Sequence, residues 1–141
     1  MRSTTKAIQR RIGTVALLTA AAVATVAAPA YAASWHGVSG TVYSPASGQI
    51  WFTSSTARTK SGAGSVQLQF NTLNPGGVTW NLLGPSGQQY GVTQSWTGTE
   101  TGITRTFTSS MANGTTFYNH FKEYDGQSGH GNYNFNGSEY Y

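Results

Sequence analysis

The feature that most constrains this chain is a strict two-residue alternation near its middle. Val66, Leu68 and Phe70 alternate with Gln67, Gln69 and Asn71. Only extended backbone sends every second side chain to one face, so Val66 to Thr72 reads as a strand buried on one side and wet on the other. Asn74-Pro75-Gly76-Gly77 follows. Proline presets φ at the second turn position and glycine accepts the positive φ at the third, so a hairpin into Val78–Leu83 is expected.

The same grammar repeats along the chain. Val38 to Tyr43 and Gln49 to Ser54 flank Ser44-Pro45-Ala46-Ser47-Gly48. Gly84-Pro85-Ser86-Gly87 turns into Gln89–Trp96. After a Thr/Gly-rich loop over 97–102 come Ile103 to Thr108, the tight-turn pair Asn113-Gly114, Thr116 to Tyr124 and a short Tyr133–Phe135. Residues 55–65 read as a polar loop, and Ser109 to Asn113 as at most a single helical turn. About eight short strands separated by Gly, Pro, Asn and Ser clusters predict an all-β antiparallel β-sandwich or jelly-roll.

Residues 1–32 have the layout of a secretory signal peptide. A basic n-region (Arg2, Lys6, Arg10, Arg11) precedes the apolar run Val15 to Val26, and Ala28-Pro29-Ala30-Tyr31-Ala32 offers an A-x-A cleavage site. The apolar run is about twelve residues, short of the roughly 20 needed to span a bilayer as a helix. After Arg10-Arg11 come Gly13 and Thr14 in place of bulky apolar residues, which favours the general secretory route over the twin-arginine one. The expected product is a single secreted β domain, 33–141, with no membrane association after cleavage.

The chain's net charge of +4 comes from that leader. From residue 33 onward Arg58, Lys60, Arg105 and Lys122 balance Glu100, Glu123, Asp125 and Glu139. A basic footprint for nucleic acid is therefore missing. The segment carries 14 Ser, 15 Thr, 8 Asn, 7 Gln and 17 Gly beside 17 aromatic residues. That aromatic content argues for a packed core in spite of the polarity. With no cysteine, the core must hold itself together without disulfides.

Three short stretches resemble small secreted β-sandwich modules, the pre-peptidase C-terminal domains and some carbohydrate-binding modules among them. They are Leu82-Leu83-Gly84-Pro85-Ser86-Gly87, the strand entry Gly114-Thr115-Thr116-Phe117-Tyr118, and the alternating Tyr133-Asn134-Phe135. The acidic residues that flank the first turn in those domains are missing. The resemblance implies architecture, and fold does not carry function.

Catalytic patterns are sparse. There is no G-x-S-x-G elbow, and the only closely spaced carboxylates are Glu123 and Asp125, at a strand end beside Lys122 where solvated charges are expected. A small hydrolase built on these two and a histidine is the weaker alternative. His120, Glu123, Asp125 and His130 are the weak metal candidates, but His120 and Glu123 fall on opposite faces of a regular strand. Asp125-Gly126-Gln127-Ser128-Gly129 supplies one carboxylate where calcium loops use three or more. The sequons at Asn113 and Asn136 double as Asn-Gly turn signals. No cofactor is expected.

The aromatics point to binding. Rings among Asn, Gln, Ser and Thr can stack on the apolar face of a sugar while neutral amides and hydroxyls meet its hydroxyl groups. Trp80 is expected in the core, whereas Trp96, at the mouth of a Gly/Thr loop, is either a lid on the core or an exposed platform. The expected ligand set is Trp96, Tyr118 and Trp51 with Gln67, Gln69 and Asn71, acting in a monomeric, non-catalytic module for a polysaccharide or cell-wall glycan. The alternative partner is a secreted protein, in a protease inhibitor, toxin or coat component. A protruding 55–65 loop would present Arg58 and Lys60 to a protease, or a strand edge would drive assembly.

Overall fold

A computed structural model describes residues 32–44, 50–73, 75–124 and 131–141. The signal-peptide expectation, Asp125 and His130 lie outside the described residues. Nine strands and no helix are present among the described residues: β1 (Trp35–Ser44), β2 (Phe52–Thr53), β3 (Arg58–Thr59), β4 (Gly64–Thr72), β5 (Val78–Leu83), β6 (Gln89–Trp96), β7 (Arg105–Met111), β8 (Thr116–Glu123) and β9 (Gly131–Tyr140). They form two antiparallel sheets. Sheet 1 has the order β1-β9-β4-β7, and sheet 2 the order β2-β8-β5-β6, with β3 also paired to β8.

The expected sandwich is present, and its winding is that of a jelly-roll. The chain changes sheet at every connection except β2 to β3, which share one edge of β8, and β5 to β6, which form a hairpin. With β2 and β3 taken as one interrupted edge strand, the eight strands of a jelly-roll result. Gly84-Pro85-Ser86-Gly87 closes the hairpin, with the Gly87 amide donating to the Gly84 carbonyl at 2.9 Å. The hairpin expected at 74–77 is instead an arch, because β4 belongs to sheet 1 and β5 to sheet 2. Turn chemistry is the same in both cases; the partner each strand finds decides between them.

Two further differences have physical causes. Residues 58–60 are held, not protruding: β3 pairs with β8, and the Lys60 backbone exchanges hydrogen bonds with Thr115 and Gly114 at 2.9 Å each. Beyond the short Tyr133–Phe135 segment, β9 runs for ten residues in full register with β1 and also pairs with β4. Pairing with β1 along its whole length, and with β4 from Asn136 onward, holds residues of low strand propensity such as Asn132, Asn134 and Asn136 in the sheet. Ser109 and Ser110 lie in β7, where a helical turn was expected.

The inner faces meet in an aromatic core. The ring of Phe70 makes edge-on contacts with Trp80 at 5.6 Å, Trp96 at 5.0 Å and Phe135 at 5.6 Å. Phe121 stacks on Trp80 at 4.7 Å. Edge-to-face packing of this kind adds about 1 kcal/mol per pair beyond area burial. Val42, Val66, Leu68, Val78, Leu82, Phe107 and Phe117 fill the space around it.

Gly77 sits where the arch enters sheet 2. Its φ is +71°, and a Cβ there would strike the Trp96 carbonyl. Gly87, at φ +82°, faces open space. Gly77→Ala is therefore expected to cost about 2 kcal/mol or more, and Gly87→Ala about 1 kcal/mol. Urea denaturation of the two variants checks that order.

Candidate functional site

The residues expected to bind ligand do not converge. Gln67, Gln69 and Asn71 point outward from β4 in sheet 1, while Tyr118 points outward from β8 in sheet 2, where Trp51 lies against His120 further along the strand. The two sets lie on opposite outer faces of the sandwich. Trp96 is on neither. It is fully buried, and its indole N–H donates to the Ile103 carbonyl at 2.9 Å.

Trp96 is thus the lid on the core, which removes it from the binding set. The 97–104 loop is folded over it. The Gly102 amide donates to the Phe70 carbonyl at 2.7 Å, and the Arg105 guanidinium lies 5.5 Å from the Trp96 ring centre. Glu100 holds that guanidinium at 2.6 Å and accepts from the Thr97 amide at 2.7 Å. The amide bond, then the cation, hold the Glu100 carboxyl below its usual range. Trp96→Ala is expected to destabilise the fold by about 3–5 kcal/mol, enough to unfold a domain of ordinary stability, rather than to remove ligand binding selectively. Thermal denaturation followed by circular dichroism checks it.

The outer face of sheet 1 is the less charged of the two. Outward positions on β1 are Trp35, Gly37, Ser39, Thr41 and Tyr43; on β9 they are Asn132, Asn134, Asn136, Ser138 and Tyr140; on β4 they are Ser65, Gln67, Gln69 and Asn71. Not one is ionic at neutral pH. Trp35 is 46% exposed and Tyr43 43% exposed, at opposite ends of β1 and so roughly 26 Å apart along the strand. Tyr140 packs against Trp35 at 5.5 Å. Two of the amides between are held in place: Thr41 Oγ1 donates to Asn134 Oδ1 at 2.8 Å, and Thr104 Oγ1 donates to Gln69 Oε1 at 3.0 Å. Sequence reading found the β4 amides through their alternation. It missed Trp35, Tyr43 and Tyr140, because the face of a strand near a chain end is set by its pairing with β9.

The outer face of sheet 2 carries charge and has its aromatic already engaged. Trp51 stacks on His120 at 4.5 Å with the rings 1° from parallel, and Lys122 Nζ lies 5.1 Å from the Trp51 ring centre. Thr53 Oγ1 and His120 Nδ1 share a hydrogen bond of 2.8 Å. Burial lowers the His120 pKa. Asn81, only 7% exposed, bonds through Nδ2 to Gln89 Oε1 at 3.3 Å.

Tyr118, His120 and Lys122 share this outer face, opposite Phe117 and Phe121, as the alternation predicts. Glu123 does not match its expected solvated state. It is buried on the inner side of β8, close enough to Gly76 that a Cβ there would strike its carboxylate. His120 and Glu123 face away from each other, and no group of three or more His, Asp or Glu among the described residues gathers as metal ligands.

The protruding-loop reading of Arg58 and Lys60 is also corrected. Lys60 is buried, its ammonium donating to the Ser61 carbonyl at 3.2 Å and lying 5.6 Å from the Tyr140 ring centre; burial lowers its pKa. Arg58 Nε meets Glu139 Oε2 at 2.8 Å, and Asn119 Nδ2 donates to the same oxygen at 2.9 Å. Neither cation is offered to a protease.

Glu139 is fully buried, and burial outweighs its two partners, raising its pKa to about 7. Because the folded value lies above the unfolded one near 4.5, the folded state holds the proton more tightly between those values. The stability from Glu139 is complete below about pH 4.5 and is lost as pH rises to about 7, by at most about 3 kcal/mol. Glu139→Gln removes this slope, and the difference between the two proteins' urea-unfolding free energies across pH 4 to 8 checks it.

Comparison with known proteins gives no matching family model and no matching curated protein. Among solved structures the chain is similar to VP2 of infectious bursal disease virus in a subviral particle, with TM-score 0.35 and 15% identity over 77% of this chain and 31% of that one. VP2 in the structure of the virus's Gx strain gives TM-score 0.31 and 17% identity over 77% of this chain and 28% of that one. The chain spans less than a third of the length of these proteins.

Proposed function

We propose that this chain is an exported, non-catalytic binding module for a neutral polysaccharide or cell-wall glycan, and that the outer face of sheet 1 receives it. The observation that supports the reading is the face itself: three adjacent strands present only uncharged side chains outward, with exposed rings of Trp35 and Tyr43 at its ends. A neutral ligand gains nothing from ionic groups and would have to desolvate them. Asn134 and Gln69, each already held by a threonine hydroxyl, meet a sugar's hydroxyls at little cost in side-chain entropy. Export is supported by the layout of residues 1–32.

The test is depletion of the protein from solution by insoluble cellulose, chitin and peptidoglycan. Retention on at least one is expected. Trp35→Ala and Tyr43→Ala should each weaken it about tenfold, the loss of roughly one anchor's contribution of 1–2 kcal/mol, and the double variant should remove it. Transfer of the effect to Trp51→Ala would move the site to sheet 2. A wild-type protein that stays in solution with all three glycans refutes the proposal.

A further inference from the structure

The edges of the two sheets are protected to different degrees. On one side of the sandwich β6 and β7 lie against each other: Gln94 Nε2 donates to the Thr106 carbonyl at 2.7 Å, and a Cβ on Gly91 would strike the Phe107 carbonyl. Register breaks interrupt the pairing of each with its neighbour. On the other side β2 and β3 are two residues each. Short strands, bulges and cover are the means by which sheet edges avoid pairing with other chains. Among the described residues β1 has none of them. It runs for ten residues with no proline, lysine, arginine or carboxylate, and its register with β9 is unbroken.

The backbone groups that β1 leaves free follow from that register. Ser34 and Tyr141 exchange both backbone hydrogen bonds, at 3.2 Å each. Bonded and non-bonded pairs alternate along an antiparallel ladder, so His36, Val38, Gly40, Val42 and Ser44 bond to β9. Trp35, Gly37, Ser39, Thr41 and Tyr43 turn their N–H and C=O groups the other way, toward the free edge. No described residue outside β9 hydrogen-bonds to these groups. Beside Val38 and Ser39 the edge borders a cleft of about 180 Å³, lined also by Ser54, Ser55 and Arg58, and no described strand pairs with β1 there.

We propose that β1 pairs antiparallel with β1 of a second copy of this chain, joining sheet 1 of each into one sheet across a twofold axis at Ser39. The strand is complementary to itself in this register: Ser39 meets Ser39 of the other copy, Gly37 meets Thr41, and Trp35 meets Tyr43. All five free residues are used, making about ten hydrogen bonds, the number a typical interface carries. Inward side chains stay inward and outward ones outward, whereas a slip by one residue would reverse them. Trp35 and Tyr43, the large outward side chains of β1, stand equally far from Ser39 and so become aromatic cross-strand pairs. An unrelated strand would supply hydrogen bonds without this match. The pairing departs from the monomer expected from the sequence. It is measured without any glycan, so it stands or falls separately from the proposed binding.

The test is sedimentation equilibrium of the protein from about 5 to about 500 μM, since mass action makes a dimer depend on concentration. A monomer–dimer equilibrium is expected. Ser39→Lys, at an exposed position, sets two ammonium groups directly opposite each other and should weaken association at least tenfold with the circular dichroism spectrum unchanged. The chain has no cysteine, so an introduced one reports the register. Ser39→Cys should give a disulfide-linked dimer under mild oxidation, its two Cα atoms lying about 5.5 Å apart. Thr41→Cys should not, because its two copies lie about 13 Å apart along the strands. A protein that stays monomeric at about 500 μM, or a dimer untouched by Ser39→Lys, overturns the proposal. Equal cross-linking of the two cysteine variants overturns the pairing centred on Ser39.

Discussion

Everything in this molecule depends on closing two sheets over Phe70 without a disulfide. That one ring touches Trp80 and Trp96 of sheet 2 and Phe135 of its own sheet, so it couples both layers through contacts that demand particular orientations. A core of small aliphatic residues would tolerate sliding between the layers, whereas interlocked edge-to-face rings do not. Trp96 shows the consequence. A tryptophan at a loop mouth is drawn inward because the core has a slot for it, and the loop then supplies a carbonyl for its N–H and an ion pair to keep the cover in place.

Using two of four tryptophans inside leaves Trp35 and Trp51 at the surface, one on each sheet. The charges divide in a similar way. Among the described residues, Arg58 pairs with the buried Glu139 and Arg105 with Glu100 beside the Trp96 ring, while Lys60 is buried against Tyr140. Lys122 lies against Trp51 on sheet 2. What remains for the outside of sheet 1 is neutral by subtraction, and that subtraction gives the face its chemical character.

How far this was legible in the sequence follows from the range of each interaction. Alternation is local, so the inward set on β4 and the division of β8 into Phe117, Phe121 and Tyr118, His120, Lys122 could be read directly. Sheet membership is not local. Pro75-Gly76-Gly77 and Gly84-Pro85-Ser86-Gly87 look alike as turns, yet the first is an arch between layers and the second a hairpin within one. The expected ligand set is divided for this reason: Gln67, Gln69 and Asn71 face outward as the alternation implies, and so does Tyr118, but on layers facing opposite ways. Arg58 was misread through the same lack of long-range information, since its partner Glu139 lies in β9, a strand of which only three residues show strand-like alternation.

The edge where β1 meets β2 and β3 is where these constraints conflict. A continuous strand there would extend the ladder along β8, but β2 and β3 are two residues each, and the cleft beside them is lined in part by the buried Trp80 and Asn119. Glu139 sharpens the conflict. Its carboxyl is buried deeply enough that desolvation outweighs both Arg58 and Asn119, so the network tying β9, β8 and β3 together is weaker with the charge in place than with the proton bound. Stability alone would favour an apolar residue at such a position, because a buried ion pair of this kind rarely repays its desolvation. The arrangement does achieve something an apolar pair would not: it fixes Asn119 Nδ2 on the carboxylate and thereby directs Oδ1 away from it. With Arg58 on the same carboxylate oxygen, that one buried group ties β8, β9 and β3 together at a single point.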